Sequence, residues 1–254
     1  MRLMLASIDN NVNAISLEEL KLCKYALMSF FYLEKSAEEK AFEILQKLNK
    51  EDRFVLDSGA FTLFTSTKLN IDFDAYLDRY IDFINKYDIK SFIELDIDAV
   101  VGYKKVLKMR KKLEEKTGKK CIPVWHLSRG IQAYKEVIRD YEYICIGGLG
   151  NKEIKPADYG KVKQLVAYAN ANDTKVHGLA FTRKDAHEYG FYSVDSSAWK
   201  MGIRFGQAHK FINGKIVSQT RKNGQRADSD KIAINNFYEW IKFQKYVDKK
   251  GVSR

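Results

Sequence analysis

Eight short β-rich runs alternate with amphipathic helical patterns along almost the whole chain, and this alternation narrows the possible folds more than any other feature. The predicted strands are residues 2–7, 27–32, 54–57, 91–96, 121–126, 143–147, 175–180 and 191–195. The predicted helices are residues 16–24, 37–49, 74–86, 103–116, 131–141, 158–171, 183–189 and 230–247. Eight strands that are each followed by a helix favour a closed α/β barrel, the (β/α)8 TIM barrel. An open doubly wound sheet uses the same units and is the structural alternative.

The composition is typical of one large domain with a basic surface. The chain has 254 residues, 45% of them hydrophobic, and only 2 prolines, and it contains no Gly/Ser/Pro-rich stretch that would serve as a linker. We therefore expect a single domain over residues 1–254. The net charge of +11 favours a polyanionic partner, because phosphates gain from contacts with lysine and arginine. A basic protein without such a partner is the alternative reading of the charge.

The cysteines and the N-terminal segment indicate a protein of the reducing cytoplasm. Cys23, Cys121 and Cys145 are widely spaced and follow neither a disulfide framework nor a zinc-binding pattern. The first residues lack the apolar region of a signal peptide, and no run reaches a membrane-spanning length. We expect a cytoplasmic protein with no cofactor, no bound metal and no membrane partner, and the oligomeric state stays open.

Two insertions interrupt the regular alternation, and in a barrel both would lie at the carboxyl ends of the strands, where active sites are built. The first is residues 60–71, after the third strand, and the second is residues 202–228, after the eighth. The second insertion contains a predicted hairpin over residues 209–218 around Asn213-Gly214. Its basic residues are our candidates for binding nucleic-acid phosphates: Arg204, Lys215, Arg221, Lys222 and Arg226.

Acidic residues stand at the ends of three predicted strands. Asp57 ends the third strand, Asp96 the fourth and Asp195 the eighth, so a closed barrel would bring them to one mouth. Carboxylates placed in this way can transfer protons, attack an electrophilic carbon or bind a metal. Each motif also has a structural reading, because Asp-Ser-Gly after a strand often forms a turn.

The order of the motifs resembles that of the tRNA-guanine transglycosylase superfamily over about residues 53–206. That family is a barrel with an Asp-Ser-Gly-Gly-Phe motif after the third strand, an Asp after the fourth and an Ile-Gly-Gly-Leu motif after the sixth. A small-residue turn follows its seventh strand and a nucleophilic Asp its eighth. The matching segments here are Asp57-Ser58-Gly59-Ala60-Phe61, Asp96, Ile146-Gly147-Gly148-Leu149, His177-Gly178 and Asp195.

The departures from the family pattern indicate a particular branch. The family's tRNA enzymes carry three cysteines and a histidine for zinc after the nucleophile strand, whereas this region has no cysteine here. Ala60 stands in place of a glycine, Thr62 in place of a glutamine, and His126 in place of the glutamine that reads the base. A compact, zinc-free chain is most similar to the 7-deazaguanine DNA transglycosylases of phages and bacterial islands.

The resemblance implies replacement of guanine in DNA by a free 7-deazaguanine base of the preQ0 type. It implies Asp195 as covalent nucleophile and Asp57 as acid and base. It further implies a base-binding set that consists of Asp96, His126, Gly147, Gly148, His177, Gly178 and Phe61. Phe61 and Trp125 are candidates for stacking on the base, and core packing is the alternative role for both aromatics. In that set the backbone N–H groups of Gly147 and Gly148 would contact the carbonyl edge of the base.

Three alternatives remain open at this stage. One is a transglycosylase that acts on tRNA instead of DNA. Another is a metal-dependent barrel hydrolase with Asp57, Asp96 and Asp195 as ligands, although the 4 histidines show no ligand-pair spacing. The last is a catalytically inactive barrel that only binds nucleic acid.

Overall fold

Seven parallel strands form one sheet in the order β3-β2-β1-β7-β6-β5-β4. A computed structural model describes residues 1–9, 13–35, 39–65, 71–151, 153–183, 185–219 and 228–251 of the chain. The strands are β1 (Arg2–Ala6), β2 (Ala26–Ser29), β3 (Phe54–Asp57), β4 (Val124–Trp125), β5 (Tyr143–Ile146), β6 (Lys175–Gly178) and β7 (Ser193–Ser196). Each of the seven matches a predicted strand, so the α/β class is confirmed.

Helices lie between most of the successive strands and after the last strand, and they cover the outside of the sheet. They are α1 (Leu17–Leu20), α2 (Phe30–Leu33), α3 (Glu39–Lys50), α4 (Ala60–Thr65), α5 (Phe73–Lys86), α6 (Asp98–Val101), α7 (Tyr103–Thr117), α8 (Gly130–Asp140), α9 (Tyr159–Asn170), α10 (Ala198–Arg204) and α11 (Ser229–Gly251). Within the described ranges, no helix has the length and apolar character needed to cross a membrane. The predicted helix over residues 183–189 is reduced to one short 3-10 helix, Ala186–Glu188.

The buried apolar residues fall into two separate clusters, which is the pattern of a sheet that curls around its own interior. The larger cluster lies between the sheet and the helices and includes Leu5, Leu56 and Ile144. The smaller one lies inside the curl and takes alternate residues from the strands: Met4, Ala6, Tyr25, Leu27, Val55, Ile93, Ile122, Val124 and Cys145. Because side chains alternate across a strand, β1 to β5 supply residues to both clusters, whereas β6 and β7 supply apolar residues only to the larger one.

The predicted fourth strand, residues 91–96, is not a strand of this sheet, so the prediction of eight strands was wrong. The segment makes only two isolated bridges, one between Leu56 and Phe92 and one between Ile93 and Ile122. Its pairing stops early because a side chain takes the place of the backbone: the N–H of Val124 donates to Glu94 Oε1 at 2.8 Å. The sheet therefore has seven strands, with this segment bonded to the strands on either side.

The long helix α11 ties the end of the chain to the amino-terminal side of the sheet. Gln244 is fully buried, and its Nε2 donates to the backbone carbonyls of Leu3, at 2.7 Å, and Tyr25, at 2.8 Å. Four residues further on, Asp248 forms an ion pair with Lys24. The C-terminal half of α11 thus lies beside the amino ends of β1 and β2.

A two-stranded hairpin, β8 (Ala208–Ile212) and β9 (Lys215–Gln219), confirms the predicted insertion after the last strand of the sheet. Its turn is Asn213-Gly214, with φ of 49° and 80°, as a type I′ turn requires. An added Cβ on Gly214 would lie 2.7 Å from the hydroxyl of Tyr246. The hairpin tip therefore rests on the C-terminal half of α11, on the amino-terminal side of the sheet.

Candidate active site

Acidic side chains meet at the carboxyl ends of the strands, as the sequence predicted. Burial raises the pKa of Asp57 to about 7, although the N–H of Gly59, at 3.0 Å from its Oδ2, acts in the opposite direction. The charges of Asp195, Asp9 and Asp96 raise that pKa further. Asp57 is therefore a carboxyl group that both holds and releases a proton near neutral pH.

Asp9 belongs to this acidic site and was missed by the sequence analysis. It lies just beyond the carboxyl end of β1, and only 1% of it is exposed. Its Oδ2 accepts from the backbone N–H of Ser29 at 2.5 Å, and burial raises its pKa to about 6. The chain reaches it through Ser7, whose φ of 63° is in the left-handed region. The available signal was the same one used elsewhere, an aspartate just after a strand.

Asp195 is held at β7 by donors that both bind the same oxygen. Only 8% of the residue is exposed. The backbone N–H of Ala180 donates to its Oδ1 at 2.6 Å, and His177 Nε2 lies 3.2 Å from the same atom. Ala180 has a φ of 53°, an unusual conformation for alanine that turns its N–H toward Asp195. The arrangement orients the carboxylate and leaves its second oxygen to other contacts.

His177 lies behind Asp195 instead of at the surface of the site, which corrects its predicted role in binding the base. Only 1% of the residue is exposed. Its Nδ1 lies 2.6 Å from Ser193 Oγ, and this oxygen lies 2.5 Å from the hydroxyl of Tyr143. Gly178, the other predicted residue of this pair, is also buried, and a Cβ there would lie 3.0 Å from the ring of Phe191. Gly178 is therefore a packing position.

Asp96 and His126 form one hydrogen-bonded unit. His126 Nε2 lies 2.6 Å from Asp96 Oδ2, and His126 Nδ1 lies 3.1 Å from Glu153 Oε2. Burial opposes the charge of His126, but the carboxylate of Asp96 more than compensates and raises its pKa to about 9. Arg129 Nη2 donates to the other oxygen of Asp96 at 2.7 Å. A base that pairs with Asp96 or His126 would thus share or replace these bonds.

Glu94 and Asp98, to which the sequence analysis gave no role, anchor Arg129. Glu94 is fully buried and accepts from Arg110 Nε at 2.6 Å and from Arg129 Nη1 at 3.1 Å. Arg129 Nε donates to Asp98 Oδ2 at 2.8 Å, and the guanidinium lies 4.5 Å from the ring centre of Tyr103. Although burial favours the neutral acid, Arg129 lowers the pKa of Asp98. These contacts fix the guanidinium that holds Asp96.

The two predicted glycines contribute space at the site. The N–H of Gly147 donates to the carbonyl of Trp125 at 2.9 Å, so in this arrangement it is a sheet donor, and its predicted contact with a base carbonyl is corrected. An added Cβ on Gly147 would lie 2.4 Å from Cε1 of His126. Gly148 has a φ of 79° and approaches the side chain of Glu153 in the same way. Because glycine has no side chain, the imidazole of His126 and the carboxylate of Glu153 can lie against the strand end.

The predicted aromatic residues differ in exposure. Trp125 is 2% exposed, its Nε1 donates to the carbonyl of Gly130 at 2.8 Å and its ring packs on Tyr134, so it is a core residue. Phe61 lies on α4, directly after β3, and is 68% exposed. Of these two, Phe61 alone is placed to contact a ligand above the strand ends.

The rival metal site finds little support in the geometry. Among the described residues, one trio of potential ligands lies within 4.8 Å, namely Asp96, Asp98 and His126, and it includes neither Asp57 nor Asp195. In this trio both carboxylates already form ion pairs with the Arg129 guanidinium, which supplies the positive charge that a metal ion would supply. The three aspartates proposed for a metal hydrolase therefore do not form one such group.

The predicted phosphate-binding residues are spread over different parts of the molecule. Arg204 is exposed at the end of α10, the helix that begins two residues after β7. Lys215 is exposed at the hairpin tip, on the amino-terminal side of the sheet, so its predicted place at the mouth is corrected. The remaining three candidates lie outside the described residues: Arg221, Lys222 and Arg226.

The comparisons with known proteins support the fold. No protein-family model matches the chain, and no curated protein matches its sequence. The structure is similar to a mutant tryptophan synthase alpha subunit from the hyperthermophile Pyrococcus furiosus, with a TM-score of 0.50, 13% identity, and coverage of 94% of this chain and 96% of that one. It is also similar to Cryptosporidium parvum pyruvate kinase, with a TM-score of 0.51, 11% identity, and coverage of 97% and 70%.

At such low identities, the similarity establishes the fold alone. The chain is a TIM-barrel-like α/β protein, and the two neighbours are enzymes by name. Its acidic site lies at the carboxyl ends of the strands, which is the position of active sites in barrels of this type.

Proposed function

We propose that this protein is a base-exchange transglycosylase that replaces guanine in DNA with a 7-deazaguanine base of the preQ0 type. The observation that carries the proposal is the contrast between two neighbouring carboxyl groups. Asp57 has a pKa of about 7, whereas Asp195 is held in one orientation by two donors. One group suits proton transfer and the other suits attack on carbon. The motif order that resembles the tRNA-guanine transglycosylase superfamily supports this assignment.

The reaction proceeds in two displacements. A carboxylate oxygen of Asp195 forms a bond to the anomeric carbon of the target nucleotide, and the glycosidic C–N bond breaks with its electron pair going to guanine. The Asp57 carboxyl group donates its proton to the departing base. The incoming base then loses a proton to the Asp57 carboxylate and attacks the same carbon, and the bond to Asp195 breaks. The anomeric configuration is thereby restored.

Recognition of the base falls to the unit of Asp96 and His126. A carboxylate accepts from the N1–H and the exocyclic amine of guanine, and a protonated imidazole donates to a carbonyl oxygen. Arg129 holds Asp96 in place through its Oδ1 while the base exchanges bonds with His126. The exposed ring of Phe61 offers a stacking surface. The target nucleotide is flipped out of a duplex or presented as a single strand, since a stacked base does not reach such a site.

Exchange of a labelled base tests the proposal. The wild type is incubated with radiolabelled 7-deazaguanine of the preQ0 type and either a guanine-containing DNA oligonucleotide or a tRNA, and label in the polymer is counted. We expect label in DNA and, on a denaturing gel, a covalent protein–DNA adduct. Asp195→Asn should abolish both. Asp173→Asn, a matched change at an exposed turn residue, should leave both intact.

The other outcomes are equally informative. Label in tRNA alone would establish the tRNA enzyme in place of the DNA enzyme. Binding of DNA without label or adduct, in the wild type as in Asp195→Asn, would show an inactive nucleic-acid-binding barrel. Label incorporated by Asp195→Asn would contradict the assigned nucleophile.

A further inference from the structure

A chain of three polar side chains runs from the interior of the sheet to Asp195. Tyr143 lies on β5, His177 on β6 and Ser193 on β7, two residues before Asp195. His177 and Ser193 are register partners in the parallel pairing, so their side chains share one face of the sheet. The oxygens of Tyr143 and Ser193 are 2.5 Å apart, and Ser193 Oγ is 2.6 Å from His177 Nδ1.

The interior around this chain is mostly apolar, with Arg2 beside Ser193 at the amino end of β1, so the polar residues are costly unless each is bonded. The neighbouring interior positions are Met4, Val55, Ile93, Val124 and Cys145. Ser193 is fully buried and His177 is 1% exposed. Apolar residues of similar size would fill the same space, so packing alone gives no reason for three hydrogen-bonding groups in sequence.

The donors and acceptors of the chain fit together in one direction. Burial raises the pKa of Tyr143, so its hydroxyl keeps its proton and is available to donate to Ser193 Oγ. In this direction the Ser193 hydroxyl donates to His177 Nδ1, which accepts as the ring nitrogen without a hydrogen. The proton of that ring is therefore on Nε2, and it points to Asp195 Oδ1 at 3.2 Å.

We propose that Tyr143, Ser193 and His177 are positioning residues that fix the His177 tautomer and hold Asp195 Oδ1, so that Oδ2 is the oxygen that attacks the sugar. The role in attack rests on the proposed base exchange. Ala180 N–H donates to the same Oδ1 at 2.6 Å, and the described residues give Oδ2 no hydrogen bond. The carboxylate is thus held by one oxygen.

The same two donors serve the second displacement. Once Oδ2 is bonded to the anomeric carbon, Oδ1 is the carbonyl oxygen of an ester. When the incoming base attacks, that C–O bond breaks and its electron pair returns to the carboxylate. The N–H groups of His177 and Ala180 stabilise the negative charge on Oδ1 at that moment, as preorganised donors do at a developing oxyanion. The chain therefore orients the carboxylate for attack and assists its departure in the second displacement.

Nitrogen NMR of the four histidines tests the chain in the free protein, without any substrate. We expect the wild-type His177 ring to be protonated on Nε2, and Ser193→Ala to weaken this preference measurably, because Asp195 alone would then favour the proton on Nε2. His209 is the internal control, because its Nδ1 accepts from Trp240 Nε1 at 3.0 Å and it is remote from this chain. A wild-type His177 protonated on Nδ1, or a tautomer unaffected by Ser193→Ala, would overturn the proposal.

Kinetics test the link to Asp195. Ser193→Ala and Tyr143→Phe should lower kcat by about tenfold or more while KM changes little, as expected when a hydrogen-bonded support is removed from behind a reacting group. His177→Gln keeps an amide N–H near the Nε2 position and should retain at least about tenfold more activity than His177→Asn, which does not reach Asp195. Equal activities of the Gln and Asn variants at equal thermal stability would refute the positioning role.

The two hypotheses fail separately. If the wild type shows no base exchange, the proposed function falls, and the NMR result alone decides whether the chain holds Asp195 as described. If exchange occurs but Ser193→Ala leaves both kcat and the tautomer at wild-type values, the positioning proposal falls and the proposed function stands.

Discussion

Asp57 couples the proton chemistry of the site to the stability of the fold. In the unfolded chain its pKa is near 3.8, and in the folded protein it is about 7. Between these values the folded state holds the proton more tightly, so the free energy of unfolding falls as pH rises through this window. Above pH 7 Asp57 is ionised although its burial disfavours the charge, so the folded protein is less stable there. Groups with functionally tuned pKa values often carry such a cost in stability.

Asp57→Asn should therefore stabilise the protein at pH 8 and lose that advantage as pH falls toward 4. The gain is at most about 4 kcal/mol, because each unit of pKa shift corresponds to about 1.4 kcal/mol. Asparagine keeps an oxygen that accepts from Gly59 N–H, so the local turn is preserved. Urea unfolding of both proteins from pH 4 to 8 measures the difference. A difference that stays constant across this range would contradict the raised pKa of Asp57.

Gly147 is the residue that allows His126 to lie against the strand end. Gly147→Ala should displace the imidazole, because the new Cβ would be 2.4 Å from Cε1 of His126. The bond to Asp96 then lengthens, and the pKa of His126 falls from about 9 toward its ordinary value near 6.5. An NMR titration of the His126 ring measures this shift.

Gly160→Ala is the matched control for that substitution. Gly160 lies on α9 and has no atom within 4 Å of the position of an added Cβ. Alanine there should raise the free energy of unfolding by roughly 0.5–1 kcal/mol through helix propensity and leave the His126 titration unchanged. A Gly147→Ala protein that titrates like the wild type would show that the ring has room to move.

The sequence predicted three of the acidic residues that gather at the strand ends, but it missed Asp9 and did not predict how their partners are arranged. Asp57, Asp96 and Asp195 follow from strand ends alone, since parallel strands bring their carboxyl ends together. The placement of His177 behind Asp195 depends on the lateral register of β6 and β7. Register is a property of two paired strands, so the hydrophobic pattern of one strand does not predict which residue of the neighbouring strand lies beside a given position.

At the scale of elements, Glu94 takes the place of part of a strand. Its carboxylate accepts from the Val124 N–H, where a continuous fourth strand would offer a backbone carbonyl, and it also binds two arginines. The hydrophobic residues Phe92 and Ile93 give residues 91–96 the pattern of a buried strand, which explains the prediction. The hydrophobic pattern does not reveal that a side-chain carboxylate accepts the hydrogen bond in place of a backbone carbonyl.

Glu94→Gln should destabilise the protein by about 3–5 kcal/mol, because Arg110 would keep a buried charge without its carboxylate partner and Arg129 would lose one of its three. The control is Glu115→Gln, whose ion pair with Lys111 is exposed and 3.7 Å long. It should change stability by no more than about 0.5 kcal/mol. Urea denaturation at pH 7 measures both. Equal effects of the two substitutions would show that Glu94 is not required to neutralise the arginines.

At the scale of the whole molecule, the net charge and the site have opposite signs. The chain carries a charge of +11, yet the carboxyl ends of the strands collect Asp9, Asp57, Asp96 and Asp195. Under the proposed function, a polyanion would be attracted to the basic surface and not to the mouth itself, so its phosphates would lie around the rim while one nucleotide enters. Basic residues near the carboxyl ends should then contribute more to binding than equally exposed ones elsewhere.

Arg204 and Lys215 allow this expectation to be tested with two single-charge changes. Both residues are exposed, but Arg204 lies on the helix that follows β7, whereas Lys215 lies at the hairpin tip beside the C-terminal half of α11. Arg204→Gln should weaken DNA binding and reduce the slope of log K against log salt by about 1, which corresponds to the loss of one phosphate contact. Lys215→Gln should leave both quantities at their wild-type values.

Fluorescence anisotropy with a labelled single-stranded oligonucleotide measures the affinity and its salt dependence together. A range of about 50 to 200 mM salt is suitable, because counterion release changes the affinity strongly over it. Both variants carry the same net charge, so a purely non-specific attraction to the basic protein would lower their affinities equally. Equal losses would therefore refute a rim-specific contact, and a larger loss in Lys215→Gln would place the nucleic acid on the amino-terminal side of the sheet. A loss confined to Arg204→Gln places it beside Asp195.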